Sequence, residues 1–168
     1  MNRAFVKDPD DAGRPEAVPD LPQSPHPNYV RPAGLRKLQA QQAALAARRD
    51  QLLEAGRHGD PHELALAQRD LRHIEGRLQR AILVDPAAQP ADRVRFGLSV
   101  EVGHEEGRTE WLTLVGEDEA EPGSGLLSWT SPLAGALLNA EPGDEVVWRR
   151  PAGTQRLEIL ALRIPEGA

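Results

Sequence analysis

The sequence predicts an α+β protein: an antiparallel two-helix coiled-coil hairpin, then an antiparallel sheet domain with one short helix. Three observations carry that prediction. Between Pro32 and Val84, apolar residues recur at helical spacing on two arms, as Leu35, Leu38, Leu45 and Leu52 and then as Leu64, Ala67, Leu71, Ile74, Leu78 and Ala81. Between the arms, Ala55-Gly-Arg-His-Gly-Asp-Pro61 has two glycines to stop one helix and Asp-Pro to start another. After Asp92 the texture changes to short alternating apolar and polar runs, the period of strands with one buried face.

Taken in order, residues 1–29 hold Pro9, Pro15, Pro19, Pro22, Pro25 and Pro27 among polar residues, a composition expected to stay disordered or extended. Residues 30–84 form the hairpin. Each arm carries one narrow apolar seam, so neither is stable alone and the two are expected to face each other. Pro32 suits a first helical turn, where its missing N–H would have no partner in any case. An arm of about 24 residues would project roughly 36 Å. A linker of residues 85–92, marked by Pro86 and Pro90, leads to a domain over residues 93–164. Five strands are expected there, over 93–102, 109–115, 126–130, 144–150 and 155–164. Ser131 and Pro132 are placed as N-cap and first position of a short helix, and Pro151-Ala-Gly153 as a hairpin turn.

Composition excludes several classes of chemistry. With no cysteine among 168 residues there is no disulfide, thiolate metal site or cysteine nucleophile. No apolar run approaches the roughly 20 residues of a membrane span, and the N-terminus lacks a signal-peptide core. A cytoplasmic protein that does not engage membranes is expected. The net charge of −6 is unevenly spread. Residues 31–83 hold ten Lys or Arg against six Asp or Glu, net +4, whereas residues 84–168 hold seven against fifteen, net −8. A basic rod joined to an acidic domain lacks the broad basic face of a general DNA binder. It fits a partner that offers surfaces of both signs.

Four blocks then occur in a telling order: Val115-Gly-Glu-Asp-Glu-Ala-Glu-Pro122, Gly125-Leu-Leu-Ser-Trp-Thr-Ser-Pro-Leu-Ala-Gly-Ala-Leu-Leu138, Gly143-Asp-Glu-Val146 and Pro151-Ala-Gly153. This order and spacing resembles the C-terminal domain of the bacterial Gre (GreA/GreB) transcription elongation factors, and the hairpin in front of it resembles their coiled coil. The resemblance covers nearly everything after residue 28, as a short-coiled-coil member of that family. It implies an FKBP-like sheet domain that grips the rim of the secondary channel of bacterial RNA polymerase. It also implies a coiled coil that enters the channel, with tip carboxylates helping to hold Mg²⁺ in the polymerase's own active site while backtracked RNA is cleaved. The chain would then be no enzyme itself and have no cofactor of its own. It would be a monomer contacting nascent RNA only indirectly.

By that match the tip, His58-Gly-Asp60-Pro-His-Glu63, makes Asp60 and Glu63 the candidate Mg²⁺ ligands in trans. Hard carboxylate oxygens suit that ion. The same residues also satisfy a purely structural pattern: Asp60 as N-cap, Pro61 at N1 and Glu63 at N3 form a capping box. The tip departs from the family where Glu63-Leu-Ala-Leu-Ala67 replaces Glu-Asn-Ala-Glu-Tyr. The second arm is also shorter by roughly two to three turns, each worth 5.4 Å of reach. Thr130, Ser131, Pro132 and Leu133 match the family's polymerase-contacting loop and are the candidate partner-binding residues, with the helix start as their structural role. Two alternatives remain beside a cleavage factor: a channel-occupying modulator or competitor that does not cleave, and a binding module for another enzyme.

Other features are expected to be structural. Glu117, Asp118, Glu119 and Glu121 read as a solvated acidic turn, since no Asp-x-Asp-x-Asp-Gly pattern is present. His58 and His62 flank Asp60 without helical i,i+4 geometry, so no transition-metal site is expected. Trp111, Trp129 and Trp148 are assigned to strand packing.

Overall fold

A computed structural model describes residues 18–166. Its elements run β1 (Asn28–Val30), α1 (Pro32–Glu54), α2 (Pro61–Gln79), β2 (Ala81–Leu83), β3 (Ser99–His104), β4 (Thr109–Val115), β5 (Leu126–Ser128), α3 (Pro132–Leu137), β6 (Glu145–Arg150) and β7 (Gly153–Arg163). The chain divides into two compact units. One holds Gln41–Gly76 with the segment ending at Gln23, and the other holds Ser24–Ala40 and everything from Arg77 onward. The two-helix hairpin and the following α+β sheet domain agree with the expected fold class. Among the described residues no helix is long and apolar enough to cross a membrane.

In the first unit, α1 stops where the backbone turns at Gly56, whose φ of 52° is costly for a residue with a Cβ. Gly56–His58 make one 3₁₀ turn, and α2 starts at Pro61 behind Asp60. The seam forms as spaced: Leu52, Ala67 and Leu71 are buried, and Leu45, Leu64 and Ile74 are half-buried. The segment before Ser24 is not free over its described part. Arg72 donates through Nε and Nη2 to Asp20 Oδ1 at 3.1 and 2.7 Å, and Gln23 Nε2 lies 3.2 Å from His73 Nδ1. The disorder expected for residues 1–17 lies outside the described residues.

The second unit contains a pairing that no periodicity in the sequence announces. Residues 28–30, assigned to the end of the tail and the start of the hairpin, pair in parallel with residues 81–83, assigned to the second helix. Strand β2 therefore replaces the last turn that the Leu78–Ala81 spacing extended into. The larger sheet has the order β5-β4-β3-β7-β6. It is antiparallel except at one edge, where β4 and β5 run parallel. The expected all-antiparallel sheet is thus corrected to a mixed one. The reason lies in the excursion between β4 and β5: two 3₁₀ turns, Glu117–Glu119 and Pro122–Ser124, carry the chain back before β5 begins. The first expected strand also starts late, at Ser99 rather than Arg93, because Gly97 turns the chain with φ 88°.

One face of the sheet is closed by α3. Ala134 and Leu137 of the helix pack with Val100, Val102, Leu112, Leu114 and Ile159 of the strands, all nearly or fully buried. Apolar burial of this kind supplies most of the stability, and truncation leaves a cavity that the sheet cannot close. We expect Leu114→Ala to lower unfolding free energy by about 2–5 kcal/mol, read as a fall in the urea midpoint with little change in slope.

Candidate functional site

The acidic run after β4 is built into the fold rather than solvated. Glu119 is 6% exposed and its carboxylate accepts from Arg31, at 2.8 Å from Nη2 and 3.3 Å from Nε. Arg77, whose side chain is 4% exposed, donates from Nε and Nη2 to Asp118 Oδ2 at 2.9 and 2.7 Å, and from Nη1 to Glu117 Oε2 at 3.3 Å. Glu117 also accepts from the Ser24 hydroxyl at 2.9 Å, while Lys37 Nζ donates to the Asp118 carbonyl at 2.8 Å. The Arg77 carbonyl accepts from Asn28 Nδ2 at 2.7 Å. The expectation of a solvated turn is therefore overturned for Glu117, Asp118 and Glu119, whereas Glu121 is exposed as expected. Three consecutive acids would repel one another in water, but buried arginines arriving from the roots of both helical arms make each one a paired ligand.

Gly116 makes the approach possible. A Cβ there would lie 2.4 Å from the Tyr29 carbonyl oxygen, so any side chain would push β1 away from the acidic turn. Tyr29 in turn packs edge-on against Trp129, with ring centroids 5.0 Å apart, and Trp129 sits on the turn after β5 rather than in a strand. Its role as packing, not base stacking, agrees with the reading of the sequence.

The four loop residues proposed to meet a partner lie just beyond that turn. Ser131 caps α3, its hydroxyl accepting from Ala134 N at 3.2 Å, and Thr130 Oγ1 lies 2.9 Å from Ser128 Oγ. Those hydroxyls are engaged within the loop. Pro132 is exposed and Leu133 half-buried against the core. Ser131, Pro132 and Leu133 also form one wall of an open cavity of about 520 Å³ whose other walls include Leu112, Leu127 and Trp148. At its polar end, His104 is buried with Nε2 2.6 Å from Glu110 Oε1 and Nδ1 2.6 Å from Gln155 Nε2. Arg108, Arg149 and Arg150 line the same cavity. The loop is a candidate legible in the sequence, whereas the cavity is not, because its walls come from strands far apart in the chain.

At the other candidate site, Asp60 and Glu63 are both exposed. Asp60 Oδ1 accepts from His62 N at 2.8 Å, an N-cap bond to the second helical position rather than to the third that the expected capping box uses. The reciprocal half is replaced: Glu63 Oε2 takes the guanidinium of Arg48 from the opposite arm. Spacing along one arm does not show which residue of the other arm lies opposite, so Arg48 carried no signal. Asp60 and Glu63 offer hard oxygens suited to Mg²⁺, but only as a partial donor set. Among the described residues no three His, Asp or Glu side chains converge to hold a metal, which leaves His58 and His62 outside any such cluster.

Comparison with known proteins matches the family model "Transcription elongation factor, GreA/GreB, C-term" to residues 89–164. Transcription elongation factor GreB of Neisseria meningitidis serogroup B is 33% identical over 151 residues, 80% of this chain and 93% of that protein. GreA of Alkalilimnicola ehrlichii is 37% identical over 124 residues, 67% of this chain and 78% of that protein. A solved GreA/GreB factor from Nitrosomonas europaea aligns at 24% identity and a TM-score of 0.40, covering 80% of this chain and 97% of that one. On the extent and identity of the sequence matches, the chain belongs to the GreA/GreB family of transcription elongation factors.

The buried acidic turn makes a direct prediction. Glu119→Ala leaves the Arg31 charge buried and unpaired, and should cost about 3–5 kcal/mol of unfolding free energy. Glu105→Ala, an exposed acid on the β3–β4 turn, should change stability by less than about 0.5 kcal/mol in the same denaturation series.

Proposed function

We propose that the protein binds bacterial RNA polymerase at the rim of its secondary channel through the Thr130–Leu133 loop, with the hairpin entering the channel. The observation that carries this reading is the loop's construction. Ser131 and Thr130 spend their hydroxyls on holding the turn, leaving Pro132 exposed at the edge of an apolar cavity on a rigid sheet. At the tip, Asp60 and Glu63 are the carboxylates that would add oxygen ligands to the polymerase's Mg²⁺. Such an ion supplies an activated water and charge stabilisation for phosphodiester cleavage. This chain's own contribution is to hold the two carboxylates on the first turn of α2, with Asp60 fixed by its cap and Glu63 three residues further on. The action on backtracked RNA would thus run through the polymerase's active site.

A second reading, occupancy of the channel without cleavage, is favoured by the Arg48–Glu63 pair, which engages one of the two carboxylates within the protein itself. Cleavage of a stalled, backtracked elongation complex separates the two. On the first reading, wild-type protein shortens the transcript and Asp60→Ala/Glu63→Ala abolishes the effect while still competing with an active Gre factor. On the second, neither protein shortens the RNA and both compete. Absence of competition would refute polymerase binding altogether.

A further inference from the structure

The geometry points to Arg48 as an internal brake on the tip: its guanidinium occupies the Glu63 carboxylate, so metal-assisting capacity depends on how often that pair opens. This inference rests on the polymerase reading above and deepens it. The two carboxylates of the tip are held in different ways. Asp60 is tied by one backbone N–H, a bond that orients the carboxylate without setting a cation beside it. Glu63 is tied by a cation, and a cation beside a carboxylate opposes the approach of a second cation. Arg48 is distinguished from its neighbour in this. Arg49 is satisfied on its own arm by Asp50, at 2.8 Å, whereas Arg48 crosses to α2.

Exposure makes the pair a brake rather than a lock. The side chains of Arg48 and Glu63 are 52% and 50% exposed, so water and salt reach both. Exposed pairs of this kind favour the closed form by only about 1.4- to 5-fold. An ion already held by other ligands can therefore displace the guanidinium, and the charge of residue 48 sets how readily it does so. Nothing else among the described residues' ion pairs engages Glu63, and Asp60 is in none of them. The tip's Arg57 adds to the local positive charge without forming an ion pair to either carboxylate among the described residues.

The test uses full-length wild type, Arg48→Gln, Arg48→Lys, Glu63→Gln and the Arg48→Gln/Glu63→Gln double variant on a stalled, backtracked polymerase complex, with Mg²⁺ titrated. Competition against an active Gre factor measures occupancy separately. Mn²⁺ alone, added to the protein without polymerase, is read by paramagnetic broadening of the Glu63 side-chain resonance. Arg48→Gln should raise cleavage at sub-saturating Mg²⁺ by about 2- to 5-fold and increase broadening at Glu63, with competition unchanged. Arg48→Lys should lie between it and wild type, and the gain should vanish in the Glu63→Gln background. Unchanged or slower cleavage with Arg48→Gln, or an equal gain without Glu63, would overturn the brake while leaving polymerase binding intact. Loss of competition by wild type would overturn both readings.

Discussion

The paired charges around the acidic turn are the constraint on which the sheet-bearing unit depends. Arg31 immediately precedes α1, and Arg77 lies in the last turn of α2, so two guanidiniums from distant parts of the chain meet three consecutive acids after β4. Removing such charges from water is costly, and their attraction offsets that cost only when every ion finds its partner in good geometry. Here the fork from Arg31 and the doubled donation from Arg77 meet that condition. The arrangement selects one register: a slip of one residue in the acidic run would leave a buried arginine facing the wrong side chain. The β1–β2 pair, Asn28 on the Arg77 carbonyl and Ser24 on Glu117 follow from the same convergence.

Against that fixed base, the two candidate surfaces differ in kind. The Thr130–Leu133 loop is preorganised, since its polar groups are spent on local bonds and its apolar groups stand on the core. A partner docking there would spend little on ordering the loop. The tip is the opposite, an exposed first helical turn whose carboxylates have only a backbone cap and a solvent-reached ion pair to hold them. Surfaces for binding are best rigid, whereas on the proposed function the tip carboxylates would join a metal site assembled elsewhere and benefit from weak ties. The molecule's features follow that division.

Much of the fold was legible because it rests on local rules. The seam of Leu52, Ala67 and Leu71, the stop at Gly56, the Ser131 cap and the five strands of the large sheet all come from periodicity or from single-residue preferences. What was not legible depends on residues meeting across the chain. Glu119 reads as solvated from its neighbours and is buried only because Arg31 arrives 88 positions away in sequence. β1 is three residues beside a proline-rich run, too short for alternation to show, and its parallel partner lay inside a helical pattern. The parallel β4–β5 edge likewise depends on the path between the strands, not on their composition. At the candidate site, motif letters singled out Asp60, Glu63 and the Ser131-Pro132 loop as candidates, while Arg48 and the cavity behind Leu133 required the folded chain.

On the proposed function, one protein presents two separate contacts to polymerase, a docking loop and an inserted tip. Site-specific photo-crosslinking tests it most directly, with a photoreactive side chain replacing Leu133 in one variant and Arg57 in another. Bound to an elongation complex, the first should crosslink to the rim of the secondary channel and the second inside the channel near the active site. Crosslinking of neither position, or of both to the polymerase's outer surface, would contradict it.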